Sequence, residues 1–185
     1  SRGLGDVYKR QAHTSTFETQ FRHVEKIADW IINQVGPLEP AGEMDEPQIK
    51  VHIPVKAGDI IATTEIHSSG GHGQGCVDMY ATNLEVYLTG FIHPNHQPPN
   101  EIHRVSALDY FEKSIQESLY KKMKRTAEPR GGKIDFDQPG RLVGDWFTGT
   151  GTKWNWAKQL AFVYDVDDPT QVRITVGGTL ATGVG

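Results

Sequence analysis

The chain has 185 residues, of which 37% are hydrophobic, with 20 glycines, 10 prolines and a formal net charge of −4. This composition favours a strand-rich protein with many loops over a helical bundle. The negative charge argues against nucleic acid as a partner, and no apolar run approaches the roughly 20 residues that span a bilayer. One cysteine, Cys76, excludes an intrachain disulfide.

The two ends of the chain indicate a fragment of a longer protein. Asp6-Val-Tyr-Lys-Arg-Gln11 is similar to one reading frame of a transposon-end adapter used for sequencing libraries. We therefore predict that residues 1–11 are a non-native segment and leave them out of the fold prediction. The last residues, 179–185, read as a strand giving way to a turn, which predicts truncation there as well.

Residues 12–105 are predicted to form a first, strand-rich domain. Loose alternation predicts a strand over 17–24, and helical spacing of apolar residues predicts a helix over 25–35 that Gly36-Pro37 ends. Further strands are predicted at 48–55, 59–66 and 75–80, with a short one at 85–88. A tight turn at Ala57-Gly58-Asp59 joins the first two of these strands.

The second half is predicted to contain a helical connector, 106–128, and a truncated β-meander, 129–185. An apolar stripe predicts a helix over 108–124, with Ser106 as its N-cap. The meander strands are predicted at 133–137, 142–147, 160–164 and 171–176, with a turn at 165–170. The stripe residues are Leu108, Phe111, Ile115, Leu119 and Met123.

Several local patterns can be interpreted either as a chemical site or as a structural feature such as a turn. His67 and His72 lie in a glycine-rich loop and are of a residue type that binds metal, but we expect the loop to serve as a turn. Three aspartates at 165, 167 and 168 do not match the spacing of a calcium loop, which favours a turn there too. Glu128, Asp135 and Asp137 give no carboxylate pair of the glycosidase type.

The tryptophans of the second half are the residues best suited to stacking on sugar rings. Trp146 sits in an apolar predicted strand and is expected in the core. Trp154 and Trp156 alternate after a Gly/Thr loop and are better candidates for an exposed face. Cys76 has no partner in the nearby sequence that marks a nucleophile, so we expect a buried thiol.

Three motifs, in order, resemble the lysostaphin-like zinc endopeptidases that cut peptidoglycan cross-bridges. Phe21-Arg-His-Val24 resembles the family's tyrosine-x-histidine-leucine strand, and Pro54-Val-Lys-Ala-Gly-Asp-Ile-Ile61 resembles its valine-lysine-x-glycine hairpin. Gly75-Cys-Val-Asp-Met-Tyr-Ala81 falls where the family has a His-x-His strand. The resemblance implies a mainly β fold with two helices, in which an incomplete lysostaphin-like (duplicated hybrid motif) β-barrel precedes a helix and a β-meander. The second half resembles segments that follow such barrels in large environmental bacterial proteins.

The departures from the family pattern predict a degenerate site. Cys76 and Asp78 stand where the family has its catalytic and its zinc-binding histidine, so His23 is the one matching catalytic position. Asp78 and His72 are the metal-ligand candidates, whereas a zinc peptidase needs three protein ligands around an open position. We therefore expect a non-catalytic, extracytoplasmic binding or structural module without a cofactor, whose partner is cell-wall glycan or peptide, or another protein.

Two alternatives stay open. One is an active zinc metallohydrolase whose remaining ligands lie upstream of residue 12 and whose site Asp78 and a loop histidine complete. The other is a biotinyl- or lipoyl-carrier barrel, which needs a lysine at a hairpin tip. The Met123-Lys124 pair instead ends a predicted helix.

Overall fold

The computed structural model describes residues 9–22, 24–36, 51–64, 66–67, 74–75, 77–147 and 159–177. The chain divides into two compact units, residues 1–12 with 19–79 and residues 13–18 with 80–185. The fold is mainly β with two helices, as predicted, and it contains several antiparallel sheets. None of the sheets closes into a barrel within the described ranges.

Eleven strands and two α-helices, all short, make up the regular structure of the described ranges. They are β1 (Lys9–Ala12), β2 (Phe17–Arg22), β3 (Val24–Ile27), α1 (Asp29–Val35), β4 (Ala62–Thr64), β5 (Ile66–His67), β6 (Gln74–Gly75), β7 (Asp78–Asn83), β8 (Arg104–Val105), α2 (Lys113–Tyr120), β9 (Gly144–Phe147), β10 (Gln159–Tyr164) and β11 (Val172–Val176). Short 3-10 helices lie at Pro94–His96, Glu101–His103 and Ala107–Tyr110. The sheet orders are β1-β2-β7-β8, β11-β10-β9, β3-β4 and β5-β6.

In the first unit, helix α1 is shorter than predicted. Residues 24–27 pair with β4 in an antiparallel ladder, so the helix begins at Asp29 and not at residue 25. Val24 and Ile31 are buried there, and the indole of Trp30 donates to the carbonyl oxygen of Ile60 at 2.8 Å. These contacts fix α1 against the segment that precedes β4.

The hairpin turn at 57–59 is confirmed, but the strand before it is not regular. Lys56 N donates to the carboxylate of Asp59 at 2.7 Å, Asp59 N donates back to Lys56 O at 3.1 Å, and Gly58 has φ +95°. Residues 51–55 of the predicted strand form no ladder, and Val51 is 52% exposed. The next predicted strands begin late, at Ala62 and at Asp78, and 85–88 forms a turn and coil in place of a strand.

The long predicted helix of the second unit is broken. A 3-10 helix covers Ala107–Tyr110, extended backbone follows at Phe111 and Glu112, and α2 then spans Lys113–Tyr120. Ser106 precedes the 3-10 helix without a side-chain capping bond. Phe111 and Ile115 of the apolar stripe are 37% and 45% exposed, so the stripe lacks the packing surface that stabilises a long amphipathic helix.

Three strands form the meander, with β10 antiparallel to both neighbours. The predicted turn after β10 is confirmed. Asp165 Oδ1 accepts the backbone N–H groups of Asp167 and Asp168 at 2.9 and 2.8 Å, and Arg173 Nε donates to Asp165 Oδ2 at 2.7 Å. These bonds lower the pKa of Asp165 to about 2. The bond from Asp168 N–H contributes most, followed by the bond from Arg173.

The predicted strand at 133–137 is absent, because side chains rather than a ladder bind this segment to its neighbour. Asp135 Oδ2 accepts the N–H of Gly90 and Asp137 Oδ2 accepts the N–H of Ile92, each at 2.9 Å. Asp137 Oδ1 accepts the N–H of Asp145 at 3.0 Å. The two alternate aspartates thus bind residues 90–92, and Asp137 also binds the start of β9.

Arg125 fixes the connector between α2 and this segment. Its side chain is buried, with 6% exposure, and it forms no ion pair within the described ranges. Its Nε donates to Pro129 O at 2.8 Å and its Nη1 to Val166 O at 2.9 Å. The buried guanidinium is therefore satisfied by backbone carbonyl groups.

Candidate ligand-binding cavity

A cavity of about 520 Å³ lies at the start of β9, within the second unit. Its walls are the segment that contains the 3-10 helix Pro94–His96, the loop 137–143 and β9 itself. We name it the Trp146 cavity. Its lining residues include His93, His96, Asp137, Leu142, Asp145 and Trp146.

The indole of Trp146 is exposed, and a hydrogen bond holds it in place. Trp146 is 46% exposed, and its Nε1 donates to Leu142 O at 2.7 Å. The prediction that Trp146 is a core residue is therefore wrong. It lies on β9, an edge strand of its sheet, and pairs with Leu160 while no further strand covers it in the described ranges. Leu142 beside it is 63% exposed, so the two side chains form an accessible apolar surface.

Asp145 lies beside this surface and is held by two amide side chains. Gln159 Nε2 donates to its Oδ1 at 3.0 Å and Gln97 Nε2 to its Oδ2 at 3.1 Å. Burial raises the pKa of Asp145, the bond from Gln159 opposes that rise, and the nearby Asp137 adds to it. Asp137 itself accepts the two backbone N–H groups described above. Because both carboxylates are occupied by N–H donors, they shape the cavity and do not form an acid/base pair around an open position.

Two histidines, His93 and His96, also line the cavity. The rings of His93 and His96 are stacked with centroids 5.4 Å apart, and His96 meets the ring of Phe147 edge-on at 5.1 Å. His96 Nδ1 is buried without a hydrogen-bond partner in the described part of the chain. The sequence interpretation missed both residues. The available signal was the run His93-Pro-Asn-His96, which places two histidines one 3-10 turn apart.

The residues predicted from the family resemblance lie elsewhere or outside the described ranges. Asp78 is the first residue of β7 and is partly buried. His23, His72 and Cys76 fall outside the described residues, as do Trp154 and Trp156. The grouping of His23, His72 and Asp78 into one site therefore stays a prediction. Among the residues that the structure describes, no three His, Cys, Asp or Glu side chains come together as a metal site.

Comparisons with protein-family models, with curated proteins and with solved structures found no match for this chain. The lysostaphin-like resemblance therefore rests on its three sequence motifs. None of the described helices has the length and apolar content that crossing a membrane requires.

Proposed function

We propose that this chain is a non-catalytic binding module that holds a saccharide ring against Trp146. The observation that carries the proposal is the exposed indole, fixed by its bond to Leu142 O, at the wall of a cavity that also contains polar planar side chains. The face of an aromatic ring suits the apolar C–H face of a sugar. The hydroxyl groups of the sugar would then meet histidine, glutamine and carboxylate groups.

The size and lining of the cavity support a small polar ligand. About 520 Å³ falls within the range of roughly 300–1,000 Å³ that is typical of small-molecule sites. His93 is exposed and is available to hydroxyl groups, whereas Gln138, which lines the same cavity, already donates its amide N–H to the hydroxyl of Tyr164 at 3.1 Å and offers its amide oxygen. Such sites combine an apolar surface with a few polar groups that fix orientation.

We propose cell-wall glycan as the ligand class because residues 21–81, in the same chain as the Trp146 cavity, carry the family resemblance. Lysostaphin-like enzymes act on peptidoglycan, and a barrel of this ancestry that lost its zinc site would keep a location outside the cytoplasm and a wall-binding role. The closed barrel, the extracytoplasmic location and the loss of catalysis are parts of this proposal. The zinc peptidase and the carrier domain remain sequence-based alternatives, and nothing in the Trp146 cavity favours either.

The test is binding of the purified chain to peptidoglycan sacculi and to soluble N-acetylglucosamine oligosaccharides. We expect Trp146→Ala to weaken binding by about tenfold or more and Trp146→Phe to keep part of it, because phenylalanine retains a ring face. Tyr87→Ala is the matched control, since Tyr87 is 55% exposed and lies outside the cavity. Equal binding by the Trp146→Ala and Tyr87→Ala variants, or no saccharide binding by the unaltered chain, would refute the proposal.

A further inference from the structure

A second cavity, of about 540 Å³, is lined by β8, the 3-10 helix Ala107–Tyr110 with Ser106 before it, α2 residues Gln116 and Tyr120, and the loop 128–135. It shares no lining residue with the Trp146 cavity, and all of its lining belongs to the second unit. We propose that this Arg130 cavity binds a free α-amino acid, with the ligand carboxylate on Arg130 and the ligand ammonium on acidic groups of the same wall. Binding of an amino acid in the Arg130 cavity does not depend on binding of a saccharide in the Trp146 cavity.

Arg130 is a fixed cation whose donors are largely unused. Its guanidinium lies over the ring of Tyr120, 4.9 Å from the ring centroid, and its Nη2 donates to Tyr120 O at 2.8 Å. Nε is buried and lacks an acceptor, Nη1 donates to no described group, and no carboxylate forms an ion pair with this side chain in the described ranges. Because the guanidinium is held in one plane and its Nη1 is unused, Nη1 is suited to donate to a ligand carboxylate.

The loop that carries Arg130 has little freedom to move away from the cavity. Gly132 has φ +81°, and its N–H donates to Pro129 O at 2.9 Å. A Cβ on Gly131 would lie 2.2 Å from Ser106 Oγ, so the backbone passes close to the residue that begins the opposite wall. The guanidinium is thus positioned before any ligand arrives, which reduces the entropy lost on binding.

The same cavity offers acceptors for a positive group. Asp109 accepts the hydroxyl of Tyr120 through Oδ1 at 2.7 Å, and Glu128 accepts the N–H of Arg130 through Oε2 at 3.0 Å. The second oxygen of each carboxylate accepts no hydrogen bond from the residues that the structure describes. Carboxylate oxygens that can accept and a guanidinium nitrogen that can donate therefore belong to residues that line the same cavity.

The charge balance favours a zwitterion over a simple anion. Three basic and three acidic side chains line the cavity. The basic ones are Arg104, Arg130 and Lys133, and the acidic ones are Asp109, Glu128 and Asp135. Arg104 is already paired with Glu101 at 3.1 Å, and the ammonium of Lys133 lies 3.8 Å from Asp135. A free phosphate would meet uncompensated carboxylates, whereas an amino acid satisfies both signs.

The test is titration of the chain with L-alanine, acetate and inorganic phosphate, followed by NMR signals of the loop 128–133. We expect saturable shifts with L-alanine and binding of acetate weaker by about tenfold or more, because acetate lacks the ammonium group. Arg130→Gln should abolish the shifts. Arg130→Lys should weaken the binding of L-alanine by about tenfold, since lysine keeps the charge but not the planar fork. Lys122→Gln, an exposed lysine that does not line the cavity, is the matched control.

Glu128→Gln separates the two halves of the proposal and leaves an oxygen for the N–H of Arg130. The Glu128→Gln variant should bind L-alanine more weakly and bind acetate with unchanged affinity. It also keeps the test decisive if Arg130→Gln fails to fold. The proposal is overturned if L-alanine gives no saturable shift or if acetate or phosphate binds as tightly as L-alanine. It is also overturned if Arg130→Lys and Glu128→Gln both bind L-alanine like the unaltered chain.

Discussion

Asp137 joins two segments of the Trp146 cavity, so its removal should destabilise the second unit. Its carboxylate accepts the N–H of Ile92 at 2.9 Å and that of Asp145 at 3.0 Å. A hydrogen bond to a charged group contributes about 1.5–3 kcal/mol, with less where water competes. We therefore expect Asp137→Ala to lower the free energy of unfolding by about 2–4 kcal/mol. Asp137→Asn should cost less, because its amide keeps one acceptor oxygen.

The assay is urea unfolding followed by tryptophan fluorescence, with Asp167→Ala as the control. The carboxylate of Asp167 accepts no hydrogen bond from a described residue, so this variant should stay within about 0.5 kcal/mol of the unaltered chain. Loss of Asp137 also removes a like charge near Asp145, so the pKa of Asp145 should fall. Equal unfolding midpoints for the Asp137→Ala and Asp167→Ala variants would refute the structural role of Asp137.

Two further substitutions test the packing and the electrostatics of the second unit. Gly90→Ala would place a Cβ 1.8 Å from Asp135 O, so we expect a loss of about 1–3 kcal/mol in thermal or urea unfolding, and unchanged stability would contradict the close approach. Arg173→Ala should raise the pKa of Asp165 from about 2 toward its ordinary value of 3.8, as measured by NMR titration, and an unmoved pKa would show that Arg173 does not stabilise the carboxylate. Because the folded-state pKa is lowered, Asp165 stabilises the fold above its ordinary pKa, and that contribution is lost as the pH falls toward about 2.

The meander was predictable because its signals are local. An apolar run predicted a strand at 160–164 and alternation predicted one at 171–176, and the structure has them at Gln159–Tyr164 and Val172–Val176. The turn between them contains aspartates whose side chains bind the backbone N–H groups of the next residues. Both features are decided within a few residues of sequence.

The failures involve partners that are distant in sequence. The pattern at 108–124 has helical periodicity, but periodicity does not show whether a surface exists to cover the stripe, and the helix breaks at Phe111. The predicted strand at 133–137 is replaced by side-chain bonds from Asp135 and Asp137 to residues 45 positions earlier. No local rule forecasts such a pairing.

The candidate site was only partly visible in the sequence for the same reason. Trp146 was identified as an aromatic of interest but assigned to the core, because its strand is apolar and its edge position depends on the whole sheet. His93 and His96 carry no motif by themselves, and the contact that places them in the cavity, between His96 and Phe147 of β9, joins residues far apart in the sequence. Arg130 carried no motif, and its unused donors are a property of the folded loop.

The buried side chain of Arg125 has a consequence for how the second unit opens. Its bonds to Pro129 O and Val166 O connect the connector after α2 to the turn between β10 and β11. Opening of the turn alone removes an acceptor from a buried positive charge, and opening of the connector alone leaves Val166 O without its donor, so each separate opening is costly. The connector and the turn should therefore share one cooperative opening event in hydrogen exchange, although 41 residues separate Arg125 from Val166 along the chain.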